Sequence, residues 1–313
     1  MKIAFLADPL ESFKLSKDST FAMMVEAQKR RYRIYAFEPR DMMFSAGEVI
    51  AKTRRIELSG EESKNWYRVD EMTLCRLADF DAVIVRTDPP FDMNYLYSTY
   101  LLDLAEMAGA RIFNRPGVLR DYNEKMAIAR FPQFTVPTQV SSDDDMLREF
   151  HATHRDVIFK PLNGMGGSGV FRIREDGMNL GSVIEMLTEN GQRSIMAQKF
   201  IPEIVSGDKR VLIIGGKVVP YALARIPQAG EVRGNLAAGA TGVSQPLSDR
   251  DREIAETLAP KLAEDGLFLA GLDIIGDWLT EINVTSPTCF REIADQTGFN
   301  VAEMFFDTLD KTI

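Results

Sequence analysis

The sequence predicts an α/β and α+β protein in three parts, with a parallel sheet first and two antiparallel-rich parts after it. In the first third, apolar strand-like runs alternate with helical periodicity, which is the pattern of a parallel sheet. Beyond Pro116 the pattern changes to hairpins, and Gly215-Gly216 between two strand-like runs is a strong hairpin signal. We therefore predict domains at 1–122, 123–200 and 201–313.

The first part contains the alternating elements of a Rossmann-like sheet. Strands are predicted at 2–8, 32–38, 81–86 and 111–113, and helices at 21–31 and 95–107. A polar stretch at 45–76 holds a predicted hairpin at 48–58 beside this sheet. No G-x-G-x-x-G follows the first strand, so the dinucleotide-binding fingerprint is absent.

The second and third parts are predicted to be mainly hairpins. Strands are predicted at 156–160, 170–174, 194–200, 209–214 and 217–226, with helices at 181–190 and 249–264. A final pair of apolar runs flanks a turn within 272–284. This order gives an α/β beginning followed by two antiparallel sheets.

Composition excludes several functional classes. The net charge of −9 over 313 residues argues against nucleic acid binding, because phosphate contacts need a basic surface. No stretch approaches the roughly 18 apolar residues of a membrane span, and the first residues do not resemble a signal peptide. Cys75 and Cys289 are too few and too far apart for a disulfide scaffold, so we expect a reduced cytoplasm. His151 and His154 lie in a polar helical segment, which does not favour a zinc site.

The most informative segment is 272–284, where acceptor side chains interrupt two apolar runs. Glu281 and Asn283 are two residues apart, so on a strand they share a face. A three-residue loop at 276–278 would place Asp273 opposite Glu281, whereas a two-residue turn would put Asp273 on the other face. Two carboxylates about 4 Å apart repel by roughly 4 kcal/mol at an effective dielectric near 20. A hard divalent cation with oxygen ligands would offset this repulsion, and a solvated hairpin is the alternative.

A glycine-rich loop lies between two predicted strands at 160–170. Its four glycines would let backbone N–H groups approach phosphate oxygens, although a structural hairpin loop has the same composition. Lys160 ends an apolar strand, where an unpaired lysine is costly to bury and a phosphate would satisfy it. Lys125, on a helix predicted to open near 121–123, is a second candidate phosphate contact or a solvated lysine.

The segment 196–202 reads as a strand that leads into a linker stopped by Pro202. The backbone of such a linker can offer an adenine one donor and one acceptor. Asp208 could bind ribose hydroxyls or simply sit in a turn. Arg210 and Arg225 lie on facing strands of one hairpin, and few acids are near them in sequence. We therefore predict a phosphate or carboxylate ligand for these two arginines.

Two further segments suggest a lid and a binding site for a carboxylate. The sixteen residues 227–242 are small and polar, and such a long connection is typical of a mobile lid with hinges at Gly234 and Gly239. Residues 285–292 offer hydroxyls, a helix N-terminus after Pro287 and the cation of Arg291, which suit a substrate carboxylate. Cys289 has no base partner in the sequence and is interpreted as a packed residue.

These pieces, in this order, resemble the ATP-grasp ligases, and more narrowly the bacterial type of glutathione synthetase. The resemblance runs nearly end to end, and the lid together with the last motif is its most specific part. It rests on the motifs at 18–23, 86–92, 123–125, 160–169, 208–211, 225–228, 233–239 and 280–287. Asn163, Ala229 and Ala240 depart from the family pattern, but no proposed phosphate or metal contact is lost.

The resemblance implies a ligase that joins γ-glutamylcysteine and glycine through an acyl phosphate, with ATP held between two antiparallel sheets. It implies Mg²⁺, with Mn²⁺ as an alternative, and a homotetramer. The implied ATP contacts are Lys125, Lys160, Gly164, Gly166, Gly167, Gln198, Lys199, Phe200, Ile201, Asp208, Arg210 and Asn283, and the implied metal ligands are Asp273, Glu281 and Asn283. The predicted catalytic residues are Arg210, Arg225, Arg233 and Asn235, and the predicted substrate contacts are Asp18, Ser19, Arg86, Ser286, Thr288 and Arg291.

Two other functions compete with this interpretation. Another ATP-grasp ligase could act on a different amino acid or peptide, such as D-alanine or glutamate. A regulatory protein could instead bind ATP without turnover, but such a binder would not need Glu281, Asn283 and Arg225 at the reacting end.

Overall fold

The computed structural model describes residues 1–60, 65–231, 233–236 and 239–313. Its first sheet has parallel strands at the centre and antiparallel strands at one side. The strand order is β3-β4-β2-β1-β7-β8, and β5 and β6 also pair with β4. The strands are β1 (Lys2–Ala7), β2 (Arg33–Phe37), β3 (Met42–Ser45), β4 (Glu48–Leu58), β5 (Tyr67–Val69), β6 (Thr73–Arg76), β7 (Ala82–Arg86) and β8 (Ile112–Phe113).

Two helices connect parallel strands of this sheet, and a third follows its last strand. They are α1 (Ser19–Lys29), α2 (Met93–Met107) and α3 (Pro116–Asp121). The first two begin at aspartate caps: the side chain of Asp18 accepts from the backbone N–H of Phe21, and that of Asp92 from Tyr95. The predicted alternation of strands and helices in this part is confirmed.

The predicted hairpin at 48–58 is wrong. These eleven residues form the single strand β4, which pairs with β2, β3, β5 and β6 along its length. The burial pattern alternates over much of the strand, because one face packs on the core and the other faces solvent. The turn lies earlier, between Ser45 and Glu48, which pair directly.

The second sheet is antiparallel and small. Its order is β11-β10-β12-β9, formed by β9 (Thr138–Ser141), β10 (Val157–Pro161), β11 (Phe171–Ile173) and β12 (Ile195–Lys199). Helices α4 (Asp144–His154) and α5 (Leu180–Thr188) cover one face and bury an apolar cluster that includes Leu147, Phe159 and Ile184. The other face is left available for the site.

The third sheet is antiparallel with the order β15-β14-β13-β16-β17. Its elements are β13 (Asp208–Ile214), β14 (Lys217–Ile226), β15 (Thr241–Pro246), α6 (Asp249–Asp265), β16 (Leu269–Ile275), β17 (Trp278–Asn283), α7 (Phe290–Thr297) and α8 (Val301–Leu309). Gly215 and Gly216 form the predicted turn, with Ile214 paired to Lys217 across it.

Buried contacts join the first sheet to the third. The side chain of Asn114, after β8, donates to the carbonyls of Leu269 (2.7 Å) and Val284 (2.8 Å) and accepts from the N–H of Leu269 (2.7 Å). At the surface, Arg30 at the C-terminal end of α1 also binds Asp307 of α8 at 2.7 Å. The proposed domain boundaries near 122 and 200 stay predictions. Within the described ranges, we find no helix long and apolar enough to cross a membrane.

Candidate active site

A cavity of about 320 Å³ lies between the second and third sheets. The second sheet contributes Ile158, Lys160 and Gln198, and the third contributes residues from β13, β14 and β17. Most of the predicted site residues line this cavity: Lys125, Lys160, Gly164, Gly166, Gly167, Gln198, Lys199, Phe200, Ile201, Asp208, Arg210, Arg225, Arg233, Asn235, Glu281, Asn283, Ser286 and Thr288. Residues separated by more than 160 positions therefore meet at one place.

One face of the third sheet carries acids and arginines on four neighbouring strands. Strand pairing places Arg225 opposite Asp208, and Arg210 opposite Asp273. Asp273 in turn lies opposite Glu281. Cross-strand partners project to the same face of a sheet, so these three acids and two arginines share one face. This register is what turns scattered polar residues into one site.

The turn before Glu281 differs from the predicted three-residue loop. The structure has a two-residue turn, because Ile275 pairs with Trp278. Asp273 nevertheless faces Glu281, since the register shifts by one residue between Ile274 and Asp273 and leaves Thr280 unpaired. The predicted facing of the two acids is confirmed, but a β-bulge produces it rather than the loop.

Asp273 is held by two arginines. Its carboxylate accepts from Arg210 Nε at 2.5 Å and Nη2 at 3.1 Å, and Arg225 Nη2 lies 2.8 Å away. Burial alone would raise the pKa of Asp273, but the charges of Arg210 and Arg225 outweigh it and hold the pKa below its usual range. Few acids lie near these arginines in the sequence. In the folded chain, however, β16 brings Asp273 into contact with both arginines.

The pKa of Asp208 is shifted in the opposite direction to that of Asp273. Arg225 Nη2 contacts its Oδ2 at 2.5 Å, while its buried Oδ1 has no hydrogen-bond partner among the described residues. Burial raises the pKa of Asp208 to about 7, with the nearby charge of Asp273 acting in the same direction against the pull of Arg225. A buried acceptor without a partner is costly, and a ligand hydroxyl or cation would satisfy it.

Glu281 and Asn283 present oxygen atoms to the cavity beside a buried lysine. Lys125 Nζ lies 3.0 Å from Glu281 Oε1 and also donates to the carbonyl of Gly164. Carboxylate and amide oxygens, with only a few protein ligands, are the donor set that suits a hard divalent cation bound jointly with phosphates. Glu281 and Asn283 line the cavity and fit such an ion; Asp273 lies outside the cavity lining and would have to share its carboxylate with the two arginines. Lys125 precedes a short 3₁₀ turn (Met126–Arg130), so the helix predicted to open at 121–123 is wrong.

Lys160 is buried and forms no ion pair with any described residue. It is 8% exposed, its Nζ donates to the carbonyl of the bulged Thr280 at 3.4 Å, and no acid lies within 4.0 Å in the described parts of the chain. Burial lowers the pKa of Lys160, against the attraction of Glu281. The glycine loop beside it, including Gly166 and Gly167, also lines the cavity. Both features suit an anionic ligand.

The predicted adenine-binding linker borders the same cavity. Residues 198–201 line it, at the end of β12 and before a 3₁₀ turn (Pro202–Ser206). Gln198 donates to Thr138 Oγ1 at 3.0 Å, which fixes its side chain. The Arg172 guanidinium stacks 3.5 Å from the Phe200 ring centroid, so the ring is held from one side.

Arg233 and Asn235 of the predicted lid at 227–242 lie directly against the glycine loop, whereas its last two residues, Thr241 and Gly242, belong to β15. A Cβ added at Gly167, where φ is +78°, would come 2.7 Å from Asn235 Oδ1 and 3.0 Å from Arg233 Cδ. At Gly234 a Cβ would come 2.7 Å from Asp208 Cβ. The lid thus packs between the glycine loop and the acid–arginine face. Val232, Ala237 and Ala238 of this segment lie outside the described residues.

Four predicted substrate contacts lie away from the cavity lining. Asp18 caps α1, and Ser19 Oγ accepts from the N–H of Phe290 at 3.2 Å. Arg86 donates to Thr20 Oγ1 (3.1 Å) and to the carbonyl of Pro287 (3.0 Å), and Arg291 donates to the carbonyl of Leu15 (2.8 Å). These contacts hold α1 and α7 together beside the site. Their roles toward a substrate stay predictions.

Sequence reasoning missed Glu124, which lines the cavity. Its Oε1 accepts from the N–H of Val284 (3.0 Å), the N–H of Thr285 (3.2 Å) and Thr285 Oγ1 (2.9 Å). Burial raises the pKa of Glu124, with a smaller effect from the charge of Glu281. Glu124 thereby anchors Lys125 to the end of β17. The only sequence signal for a role of Glu124 was its position before Lys125 in the motif at 123–125, which contributes to the family resemblance.

Solved structures show which fold this chain has. The crystal structure of D-cycloserine synthetase superposes with a TM-score of 0.70 at 15% identity, covering 99% of both chains. A RimK domain ATP-grasp protein from Sphaerobacter thermophilus gives 0.63 at 18% identity, covering 98% of this chain and 99% of that one. The chain has the ATP-grasp fold.

Sequence comparison then identifies the family. Residues 1–120 match the N-terminal domain of prokaryotic glutathione synthetase, and residues 124–298 match its ATP-grasp domain. Glutathione synthetase from Ralstonia nicotianae is 59% identical over 311 residues, covering 99% of this chain and 96% of the relative. The enzyme of the same name from Neisseria meningitidis serogroup A is 55% identical over 312 residues, covering 99% and 98%. The chain belongs to the prokaryotic glutathione synthetase family.

Proposed function

We propose that this chain joins the cysteine carboxyl of γ-glutamylcysteine to the amine of glycine, forming glutathione, ADP and phosphate. One observation carries the proposal: buried lysine and arginine side chains line the same cavity as carboxylate and amide oxygen atoms. Lys160 comes from the second sheet, and Arg210 and Arg225 come from the third, with Glu281 and Asn283 beside them. Family membership supports the same reaction.

The reaction needs an activated carboxyl group. A carboxylate is a poor electrophile, so transfer of the γ-phosphoryl group of ATP to it gives an acyl phosphate that the amine attacks. Phosphoryl transfer is catalysed mainly by positioning and countercharge. We assign phosphate binding to Lys125, Lys160 and Arg210, and we assign to Arg225 the charge that develops on the reacting carboxyl. A phosphate oxygen or water accepts the proton from the amine.

We assign the remaining roles from position. Gly164, Gly166 and Gly167 would offer backbone N–H groups to phosphates, residues 198–201 would hold the adenine, and Asp208 the ribose. Arg233 and Asn235 would close over the acyl phosphate and exclude water. Ser286, Thr288 and Arg291 would hold the glycine carboxylate. Asp18, Ser19 and Arg86 would contact γ-glutamylcysteine.

We assign Mg²⁺, with Mn²⁺ as an alternative, to Asp273, Glu281 and Asn283. A bound divalent cation would supply countercharge to the phosphate oxygens, which the donor set of these side chains fits. A cytoplasmic location and a homotetramer complete the proposal; the location is inferred from the two distant cysteines, and the homotetramer from the family resemblance.

An ADP-release assay tests the function. With γ-glutamylcysteine and glycine together we expect ADP release in step with glutathione, and little release when glycine is withheld. ADP release with D-alanine instead would favour another ligase. ATP binding without ADP release for any pair of amine and carboxylate would favour a regulatory nucleotide-binding protein.

The metal assignment has its own test. We expect Glu281→Gln to fold normally and to need a higher magnesium concentration for half-maximal activity, since one anionic ligand is lost. Glu256→Gln on the exposed side of α6 is the control and should keep the wild-type magnesium dependence. A Glu281→Gln enzyme that is fully active at low magnesium would refute the role of this carboxylate.

A further inference from the structure

A second cavity, of about 180 Å³, lies at the carboxyl ends of β1 and β7. These parallel strands are neighbours, but the chain after β1 leads to β2 on one side, and the chain after β7 leads to β8 on the other. Open parallel sheets bind ligands in the crevice at such a reversal of strand order. None of the residues assigned to ATP, the metal or the substrates lines this space, which we call the switch-point cavity.

The switch-point cavity adjoins the active-site cavity. Asp88 lines both of them. Glu124, which lines the active-site cavity, is also close enough to Tyr95 in the wall of the second cavity for its charge to act on the tyrosine hydroxyl. A ligand that is longer than an amino acid can therefore occupy both spaces at once.

Two buried hydroxyl groups in the wall of the switch-point cavity have no hydrogen-bond partner among the described residues. They are the hydroxyl of Tyr95, in the first turn of α2, and Thr87 Oγ1, directly after β7. Tyr95 is only 7% exposed. A hydroxyl that is removed from water without a new partner is costly. A ligand that accepts hydrogen bonds would remove this cost.

The surroundings favour an anionic acceptor. Burial raises the pKa of Tyr95, and the charge of Glu124 acts in the same direction, so the hydroxyl stays protonated and can donate. Arg86 is the cation whose charge acts on this hydroxyl, and its buried Nη1 finds no partner in the described ranges of the chain. A carboxylate on the ligand would accept from these donors and balance the cation.

Acids beside these donors require a positive charge on the same ligand. Asp88 lines the cavity, and Asp8 accepts from the backbone N–H of Asp88 at 2.9 Å. The charges of both acids also act on the Tyr95 hydroxyl. A ligand with only a carboxylate would be repelled by them, whereas an ammonium group beside the carboxylate would be attracted. Ammonium and carboxylate on one carbon form the free amino-acid end of a molecule.

The chemistry of the proposed substrates then selects one of them. ATP has no amino-acid end, and the amine of glycine must lie at the acyl phosphate in order to react. The γ-glutamyl group of γ-glutamylcysteine has a free amino-acid end that is remote from the reacting carboxyl. Its methylene groups also suit the apolar part of the wall, which Leu6, Val85 and Leu102 provide.

We propose that the switch-point cavity binds the free amino-acid end of the γ-glutamyl group, and that Tyr95 and Thr87 determine specificity by donating hydrogen bonds to its carboxylate. Asp88 receives the ammonium group. An α-linked glutamyl donor is rejected, because its free ammonium and carboxylate are on different carbons. This inference rests on the proposed function and adds two residues that recognise the donor.

Substitution of the tyrosine tests the proposal. Tyr95→Phe should raise the KM for γ-glutamylcysteine by about 10- to 100-fold, because a hydrogen bond to a charged group is lost. The KM values for ATP and glycine should stay close to those of the wild type. Tyr100→Phe is the matched control on the exposed side of the same helix and should change none of the three. Thr87→Val should act in the same direction as Tyr95→Phe.

A substrate analogue separates recognition from a structural effect. In 4-aminobutyrylcysteine the carboxylate of the γ-glutamyl group is replaced by hydrogen, so the wild type should use it with a higher KM. Tyr95→Phe should not raise that KM further, because the hydroxyl has no carboxylate to bind. An equal rise for both substrates would mean that the hydroxyl only supports the structure, and would overturn the proposal.

Stability and activity complete the test. Tyr95→Phe should unfold at the temperature of the wild type or above it, because the hydroxyl that it removes has no partner in the described chain. A wild type that forms no glutathione would refute the proposed function itself. A wild type that forms glutathione, with Tyr95→Phe and Tyr100→Phe equal in their KM for γ-glutamylcysteine, would leave the function standing and refute the specificity role.

Discussion

At the scale of the residue, Lys160 shows how binding and stability oppose each other. Its cation is buried beside one carbonyl and receives no carboxylate within ion-pairing distance in the described chain. The ligand-free fold carries the cost of this desolvation, and burial lowers the pKa of Lys160 accordingly. Such a residue is expected where a polyanion will supply the missing charge.

Lys160→Met should therefore have two opposite effects. We expect the free energy of unfolding of the ligand-free protein to rise by about 1 kcal/mol, because the buried charge is removed. We expect the KM for ATP to rise about 10- to 100-fold, because a charge-assisted contact is lost. Lys217→Met, exposed on β14, should change neither quantity. Thermal unfolding and steady-state kinetics measure both, and a destabilised Lys160→Met protein would contradict the explanation.

Asp208 gives a prediction about pH. Its pKa in the fold, about 7, lies above the ordinary value of 3.8, so the folded state binds more protons than the unfolded state between these values. The free energy of unfolding should therefore fall as pH rises from about 4 to about 7. We expect Asp208→Asn to flatten this decline in the metal-free and nucleotide-free protein. Denaturant titrations across this range would show it, and parallel profiles for both proteins would contradict it.

Single residues were predictable from the sequence where a pattern restricts chemistry locally. Lys160 at the end of an apolar strand, and Glu281 and Asn283 on one face, are such cases, and all three line the cavity. Glu124 was not predictable, because its hydrogen-bond donors lie about 160 residues away on the chain. For the same reason, the sequence did not predict that Asp273 binds the arginines, because it is also far from them along the chain.

At the scale of the element, the glycine loop and the lid restrict each other's position through close steric contact. Gly167 approaches Asn235 and Arg233 so closely that a methyl group would displace them. A side chain at Gly166 would meet nothing within 4 Å, although its φ is also positive. The two glycines therefore differ in steric contact and not in backbone strain.

Gly167→Ala should impair the closed lid more than Gly166→Ala does. We expect a larger fall in kcat for Gly167→Ala and more ADP released per glutathione formed, because water reaches the acyl phosphate. The ratio of ADP to glutathione, measured in both variants, separates this effect from the backbone strain they share. Equal ratios would remove the argument for contact between loop and lid.

Most of the strands that were predicted lie within one or two residues of the observed ones, because apolar runs and turn residues mark them, whereas β3, β5, β6, β9 and β15 were not predicted. The strand β4 was mistaken for a hairpin, since its long polar face resembles a turn region in the sequence. The bulge at Thr280 was also not predicted. A bulge is defined by the register between two paired strands, and the sequence of one strand does not determine that register.

At the scale of the whole molecule, Asn114 links the first sheet to the third through three hydrogen bonds. The sequence predicted the kind of each sheet from its connections, but it could not predict how the sheets pack. Asn114 shows why: its partners are 155 and 170 residues away, and its own neighbours give no sign of them.

Asn114→Ala should lower the free energy of unfolding by about 3 kcal/mol, because buried backbone groups of Leu269 and Val284 lose their partners. Asn94→Ala, at an exposed position on α2, should cost little. Chemical denaturation followed by tryptophan fluorescence would measure the change. A stable Asn114→Ala protein would mean that these groups find other partners and that the junction is less important than its geometry suggests.

The bulge at Thr280 has one more consequence, for comparison among relatives. Seven residues separate Asp273 from Glu281, and this number brings the acids face to face whether the surplus residue sits in the turn or in the strand. In relatives, the extra residue can therefore lie in the turn or in the strand. Neither change introduces a gap in an alignment or displaces either acid. What selection must preserve is the count between the acids, whereas the shape of the loop is open to drift.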